Sequence, residues 1–218
     1  MNNVDISVGT FDKLAKRYQD KYMDFSFYQP TYDKLIELMP SPRARVLDLA
    51  CGPANISCYL HKKLPQLAIH GVDLAPNMIA LAKENLPSAT FEVLDTRNVA
   101  QLAGEFDIVI AGFATPYLSE LEVAELLPDL RLKLAKGGLL YLSTMEALNK
   151  DDQLARTGMQ TSNAGDQVYV YYHLAKFLKA CLTQSGFEII AEQRLTMDVA
   201  GANNGTAAND LFIYAKAI

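Results

Sequence analysis

The stretch Val46-Leu-Asp-Leu-Ala-Cys-Gly-Pro-Ala-Asn-Ile-Ser57 constrains the fold more than any other part of the chain. Val46, Leu47 and Leu49 read as a buried parallel strand, Gly52 and Pro53 as a turn, and Ala54 onward as the first turns of a helix. Such a junction sets the C-terminal edge of a strand against the free N–H groups of a helix, where open α/β sheets place their ligands. The acid is the peculiarity. A dinucleotide site has glycines here so that a pyrophosphate can approach the backbone, whereas the charge of Asp48 would repel a phosphate. An acid on the strand followed by one small-residue turn suits a ligand with a positive end.

From Val46 onward apolar runs alternate with helical patterns, which predicts an α/β fold: a doubly wound, Rossmann-like sheet of seven strands with right-handed crossovers. After the first strand, Ile56, Leu60 and Leu64 mark a helix face. Further strands are expected over Leu67 to Val72, Thr90 to Leu94, Phe106 to Ala111, Leu139 to Ser143, Phe187 to Leu195 and Leu211 to Lys216. Pro76 opens one helix at its first position, where a missing N–H costs nothing. Ser119 and Glu122 form a capping box for another, which runs past Pro128 to a stop at Gly137-Gly138. Asn149 to Gln167 is polar and too long for an ordinary connection, so it reads as a mobile loop over a site or as disorder. A helix from His173 to Gln184 follows. The last two strands are joined through Ala200 to Asn209, too short for a crossover helix, so they are expected to pair antiparallel.

Residues 1–43 read as an N-terminal helical lid on a domain spanning 44–218. The segment from Thr10 to Met39 is helical in composition and unusually aromatic, with Tyr18, Tyr22, Phe25, Phe27, Tyr28 and Tyr32, and Pro30 divides it into two helices. Each has one apolar face to lay on the sheet or over a ligand.

With 218 residues, half of them hydrophobic, the chain can bury a full core. Its net charge of -5 and scattered lysines disfavour binding to a nucleic-acid backbone. No apolar run approaches the roughly 20 residues of a membrane span, and the first residues lack the basic-then-apolar pattern of a secretory signal, so a cytoplasmic location is expected. Cys51, Cys58 and Cys181 are odd in number and without C-x-x-C spacing, which argues against a disulfide framework and a zinc site. Cys51 reads as a packing residue.

Asp48, Asp73 and Asp95 stand at or just after the ends of three successive strands, side by side along one rim of a doubly wound sheet. Asp73 lies 21 positions past Gly52, the offset at which a Rossmann-like unit puts a carboxylate on ribose hydroxyls. Asp95 could accept from the exocyclic amine of an adenine. Three carboxylates with no nearby lysine or arginine describe a nucleoside pocket that tolerates a cation and rejects a diphosphate.

These residues resemble a known family. Val46 to Ala54 is similar to the first motif of the class I S-adenosylmethionine-dependent methyltransferases, of the small-molecule methyltransferase-domain type. Gly71-Val-Asp-Leu-Ala-Pro-Asn-Met78 resembles their second motif and Leu94-Asp-Thr96 their third. Phe106-Asp-Ile-Val-Ile, Lys136-Gly-Gly-Leu-Leu-Tyr-Leu and the antiparallel last strand resemble their later strands. The resemblance implies S-adenosylmethionine as cofactor. It sets Gly52 against the methionine part with Ala50 and Asp48 beside it, Asp73 on the ribose, Leu74 and Met78 about the adenine, Asp95 at its amine, and Thr96 as a backbone contact. Ala111 and Gly112 would leave the fourth strand under the sulfonium, and Tyr18 resembles a lid tyrosine over the methionine carboxylate. Ala50 and Ala54 stand where the family most often has glycine, and Ala54 would be disfavoured if its position required a positive φ.

Methyl transfer from a sulfonium asks for in-line approach, exclusion of water and an unprotonated nucleophile. If a base is needed, His173 is the candidate, with Tyr117 or Tyr172 orienting the acceptor; His61 falls on a solvated face and His70 reads as structural. No metal-ligand spacing is present. The aromatic lid suggests a small, partly apolar methyl acceptor. Two rival readings are a nicotinamide-dependent oxidoreductase and a non-catalytic S-adenosylmethionine-binding regulatory protein.

Overall fold

Along the central strands the side chains alternate between two apolar layers, as a sheet buried on both faces requires. The structure, a computed structural model, describes residues 3–24, 26–197 and 208–218. Three helices, α1 (Asn3–Lys13), α2 (Ala15–Tyr22) and α3 (Gln29–Leu38), lead into β1 (Arg45–Leu49), α4 (Asn55–Lys63), β2 (Ala68–Asp73), α5 (Pro76–Asn85) and β3 (Thr90–Val93). Then come β4 (Phe106–Ala111), α6 (Glu120–Lys133), β5 (Leu134–Ala147), α7 (Lys150–Arg156), β6 (Gly158–Thr161) and β7 (Gln167–Val170). The chain closes with β8 (His173–Leu174), α8 (Ala175–Gln184), β9 (Phe187–Met197) and β10 (Ala208–Ala217).

The main sheet has the order β3-β2-β1-β4-β5-β10-β9. β1 to β5 pair in parallel, and β10 runs antiparallel to both β5 and β9. Leu47, Leu49, Val109 and Leu140 face one layer, built with Leu126 and Leu127 of α6 and Leu178 of α8. Val46, Ile108, Ile110 and Tyr141 face the other, with Tyr32 and Leu35 of α3, Leu60 of α4 and Ile79 of α5. By the same alternation Asp48 falls in this second apolar layer. Among the described residues no helix is long and apolar enough to cross a membrane.

The seven expected strands form the main path, and β8, paired to β5, adds an eighth. Several boundaries move for identifiable reasons. The helix expected from Thr10 begins at Asn3, and Pro30, rather than dividing two helices, sits in the first turn of α3. The expected stop at Gly137-Gly138 lies inside β5; α6 runs unbroken through Pro128 to Lys133, and the extra residues of β5 are absorbed where its register with β4 shifts. The helix expected from His173 starts at Ala175 because His173 and Leu174 pair with Glu146 and Ala147.

The stretch Asn149 to Gln167 is neither a loop nor disordered. Asn149 caps α7 through its side chain, and β6 and β7 form an antiparallel hairpin. An isolated two-stranded hairpin is marginal in water, and α1 supplies the missing support. Tyr169 N–H donates to Ser7 Oγ at 2.9 Å, Thr10 Oγ1 donates to the Gln167 carbonyl at 2.6 Å, and Lys13 pairs with Asp166 at 2.7 Å. The Ala200 to Asn209 turn lies, up to residue 207, outside the described residues.

Candidate active site

The turn after β1 is held in left-handed backbone at Ala50 (φ +49°), Gly52 (φ +54°) and Ala54 (φ +67°). Only glycine adopts this region freely; each alanine carries strain of roughly 1 kcal/mol or more. The position of Ala54 does require a positive φ and holds an alanine nonetheless. Its methyl is fully buried among apolar side chains of the second layer, which offsets part of the strain.

This turn and the end of β2 are tied together by one carboxylate. Gly52 N–H donates to Asp73 Oδ2 and Ala75 N–H to Asp73 Oδ1, both at 2.9 Å. Burial raises the Asp73 carboxyl above its usual range, against the pull of the Ala75, Gly52 and Leu74 N–H groups. Asp48 is deeper, 1% exposed. Ser57 Oγ of α4 donates to its Oδ2 at 2.6 Å. Burial still pushes the Asp48 carboxyl up to about 7, the Ser57 bond opposing and Asp73 adding to the rise.

Asp95 corrects the expectation of carboxylates without a nearby cation. Arg97 grips it: Nε lies 3.0 Å from each Asp95 oxygen, Nη2 2.5 Å from Oδ2, and Arg97 N–H donates to Oδ1 at 3.0 Å. The guanidinium also reaches Glu122 at 2.9 Å, linking the end of β3 to the capping box of α6. Asp95 is held as an anion below its usual range, despite desolvation, by these bonds. Three N–H groups of Arg97 thus take up most of its acceptor capacity and neutralise its charge.

A cavity of about 800 Å³, counting its open mouth, lies over this rim. Ala50, Gly52, Asp73, Leu74, Met78, Asp95, Thr96 and Gly112 line it from below, as does Tyr117. Ala111 does not; it is fully buried in the first apolar layer, one residue short of the opening. At Gly112 a Cβ would stand 2.5 Å from the end of the Ile56 side chain, so the chain passes there without room for a substituent. From above, α1 and α2 present Val4, Val8, Phe11 and Tyr18. Asn77 N–H donates to Asp12 Oδ1 at 2.7 Å, fixing α1 to the start of α5. The linings from Val4, Ser7, Val8, Phe11, Ala75, Phe113, Ala114 and Leu118 were not among the sequence candidates. The spacing Val4, Val8, Phe11, Ala15, Tyr18 is one helical face and carried the signal.

A second chamber of about 730 Å³ adjoins the first, sharing Tyr18, Ala50, Gly52, Gly112, Phe113 and Tyr117. Its own walls include Tyr22, Tyr28, Tyr32, Asp48, Ile56 and Met145. Tyr28 OH donates to Asp210 Oδ2 at 2.7 Å. Phe113 sits at φ +52°, its N–H donating to Ser143 Oγ at 2.9 Å, and its ring lies 5.2 Å from that of Tyr28. Strain in a bulky residue at this point marks a backbone shaped for something other than stability. Cys51 is 3% exposed and burial raises its thiol well above its usual value, so it stays protonated.

His173 is not at either cavity. It is fully buried in β8, its Nε2 2.9 Å from the Thr115 carbonyl and its ring between Tyr171 and Phe177. Burial lowers its pKa. It props the 115–117 turn that carries Tyr117 and cannot reach an acceptor as a base. Tyr172 likewise packs away from the cavities, under the Arg156 guanidinium at 4.0 Å. His70 bonds Thr90 and Glu92 between β2 and β3.

Comparison with known proteins agrees with this geometry. A family model described as a methyltransferase domain matches residues 46–138. The trans-aconitate 2-methyltransferase of Variovorax paradoxus is 33% identical over 129 residues, 59% of this chain and 47% of that protein. The enzyme of the same name from Methylobacterium nodulans is 36% identical over 124 residues, 56% of this chain and 46% of that protein. The chain thus spans about half the length of the curated relatives it matches. Among solved structures, an S-adenosylmethionine-dependent methyltransferase from Methanosarcina mazei superposes with a TM-score of 0.69 at 19% identity, over 84% of this chain and 97% of that one. A magnesium protoporphyrin IX methyltransferase from Synechocystis PCC 6803 with bound S-adenosylmethionine gives 0.69 at 16% identity, over 100% and 98%. At such identities the likeness is one of fold. Residues 46–138 thus match a methyltransferase domain model, and the sheet closed by an antiparallel hairpin has the fold of S-adenosylmethionine-dependent methyltransferases.

Proposed function

We propose that the chain transfers a methyl group from S-adenosylmethionine to a small acceptor by in-line displacement. The observation that carries this reading is Asp73. Its carboxylate is held by the backbone N–H groups of Gly52 and Ala75, with the Leu74 N–H adding to their pull, at the rim of the cavity. Asp73 would take the two ribose hydroxyls, Leu74 and Met78 would flank the adenine, and the Thr96 backbone would meet its edge. Gly52 and Ala50 would lie along the methionine part, with Asp48 and Tyr18 on either side. When bound, the cofactor supplies an electrophilic methyl on a sulfonium. The protein's part is to orient and to exclude water. Tyr18 and Tyr117, shared by both chambers, line the passage between cofactor and acceptor, and α1 and α2 serve as the cover. With His173 outside the site, the acceptor loses its proton to solvent or to a group of its own.

Calorimetric titration with S-adenosylhomocysteine tests the reading. Asp73→Ala should weaken binding by about 1–3 kcal/mol, the cost of leaving buried polar partners unmet. Unchanged affinity would sink the ribose assignment.

A further inference from the structure

Resting on the methyltransferase reading, we infer that the acceptor is a neutral or amine-bearing molecule and not a carboxylic acid, because the chamber beside the cofactor cavity is walled by tyrosine rings and a carboxylate and is lined by no basic side chain. Tyr18, Tyr22, Tyr28, Tyr32 and Tyr117 supply the rings and Asp48 the carboxylate. Among the described residues no lysine, arginine or histidine lines either cavity, and residues 1–2, 25 and 198–207 contain none. On α2 the exposed Arg17 lines neither cavity and Lys21 lies over the Tyr22 ring, 4.7 Å from its centre, and three other guanidiniums nearby are paired. Arg97 holds Asp95 and Glu122, Arg194 holds Glu146 and Glu192, and Arg156 lies against Asp152 and the Tyr172 ring.

An acid entering this chamber would give up its hydration beside Asp48 with no cation to replace it. An amine meets the opposite environment, since the faces of the tyrosine rings favour positive charge. Tyrosine hydroxyls suit a neutral acceptor equally. Trans-aconitate, with three carboxylates, is therefore a poor fit for this chain.

The test begins with S-adenosylhomocysteine binding to the full chain. Failure there refutes the methyltransferase reading itself and is distinguishable from failure of the acceptor assignment. With that ligand saturating, tyramine and 3-(4-hydroxyphenyl)propionate, alike in skeleton and opposite in charge, are titrated in turn. Tyramine should bind about tenfold more tightly or better. Equal or tighter binding of the acid, or binding of neither, overturns the inference, as does labelled methyl transferred to trans-aconitate. Tyr22→Arg, which brings a guanidinium to the chamber, should narrow or reverse the preference; an unchanged ratio counts against the assignment.

Discussion

Asp48→Asn offers the sharpest test of how the site is paid for in stability. The carboxyl is 1% exposed in an otherwise apolar layer, and its pKa is pushed from 3.8 up to about 7. A raised folded-state pKa means that the native protein keeps a proton which the unfolded chain has released. The stability this group contributes is therefore fully present below about pH 4, declines through the interval to about pH 7, and is lost above it. At about 1.4 kcal/mol per pH unit, a rise from 3.8 to about 7 amounts to roughly 4 kcal/mol. That is a large share of the usual 5–15 kcal/mol of a domain. Asparagine keeps an acceptor for Ser57 Oγ and never ionises. Urea unfolding of both proteins from about pH 4 to pH 8.5 should give equal stabilities at the acid end. A gap in favour of the variant should open by about 1.4 kcal/mol per pH unit and level near 4 kcal/mol above pH 7. Parallel curves, or a gap that widens toward acid, would refute the reasoning.

Two further substitutions examine the backbone around it. Ala54→Gly relieves left-handed strain but loses a buried methyl and gains unfolded-state freedom, so chemical denaturation should register a change under about 1 kcal/mol, while the β-branched Ala54→Val should cost more than about 2 kcal/mol. At Gly71 a Cβ would come within 2.5 Å of the Phe91 ring and 3.1 Å of Cys51 Sγ. Gly71→Ala should therefore destabilise by about 1–3 kcal/mol, read as a fall in Tm of roughly 2–4 °C per kcal/mol; an unchanged Tm would mean that β3 shifts freely.

The main sheet was legible because each central strand writes its burial into a short apolar run bounded by turn residues. Asp73 was legible from its spacing to Gly52. What escaped was whatever depends on a partner distant in the chain. Strand β6 is mostly exposed, and the hairpin it forms with the half-buried β7 is tied to α1, which lies beside it. His173 looked like a base from its place after an aromatic run, and pairing of β8 with β5 buried it instead. Asp95 looked free from its place at a strand end, although its partner Arg97 is two residues away; the fold of the following 3-10 turn brings the guanidinium back onto it.

The sequence by itself determined the strand order's alternation, the junction after Val46 and the three acids along one rim, because local periodicity and turn chemistry are properties of neighbouring residues. Tertiary structure alone decided which acid is buried, which is paired with a guanidinium and which is held by backbone N–H groups at the cavity rim. It also decided that the tyrosines of α2 and α3 converge with Asp48 in a chamber without a basic side chain. Burial and pairing are set by what lies across space from a side chain, and no spacing along the chain encodes that distance.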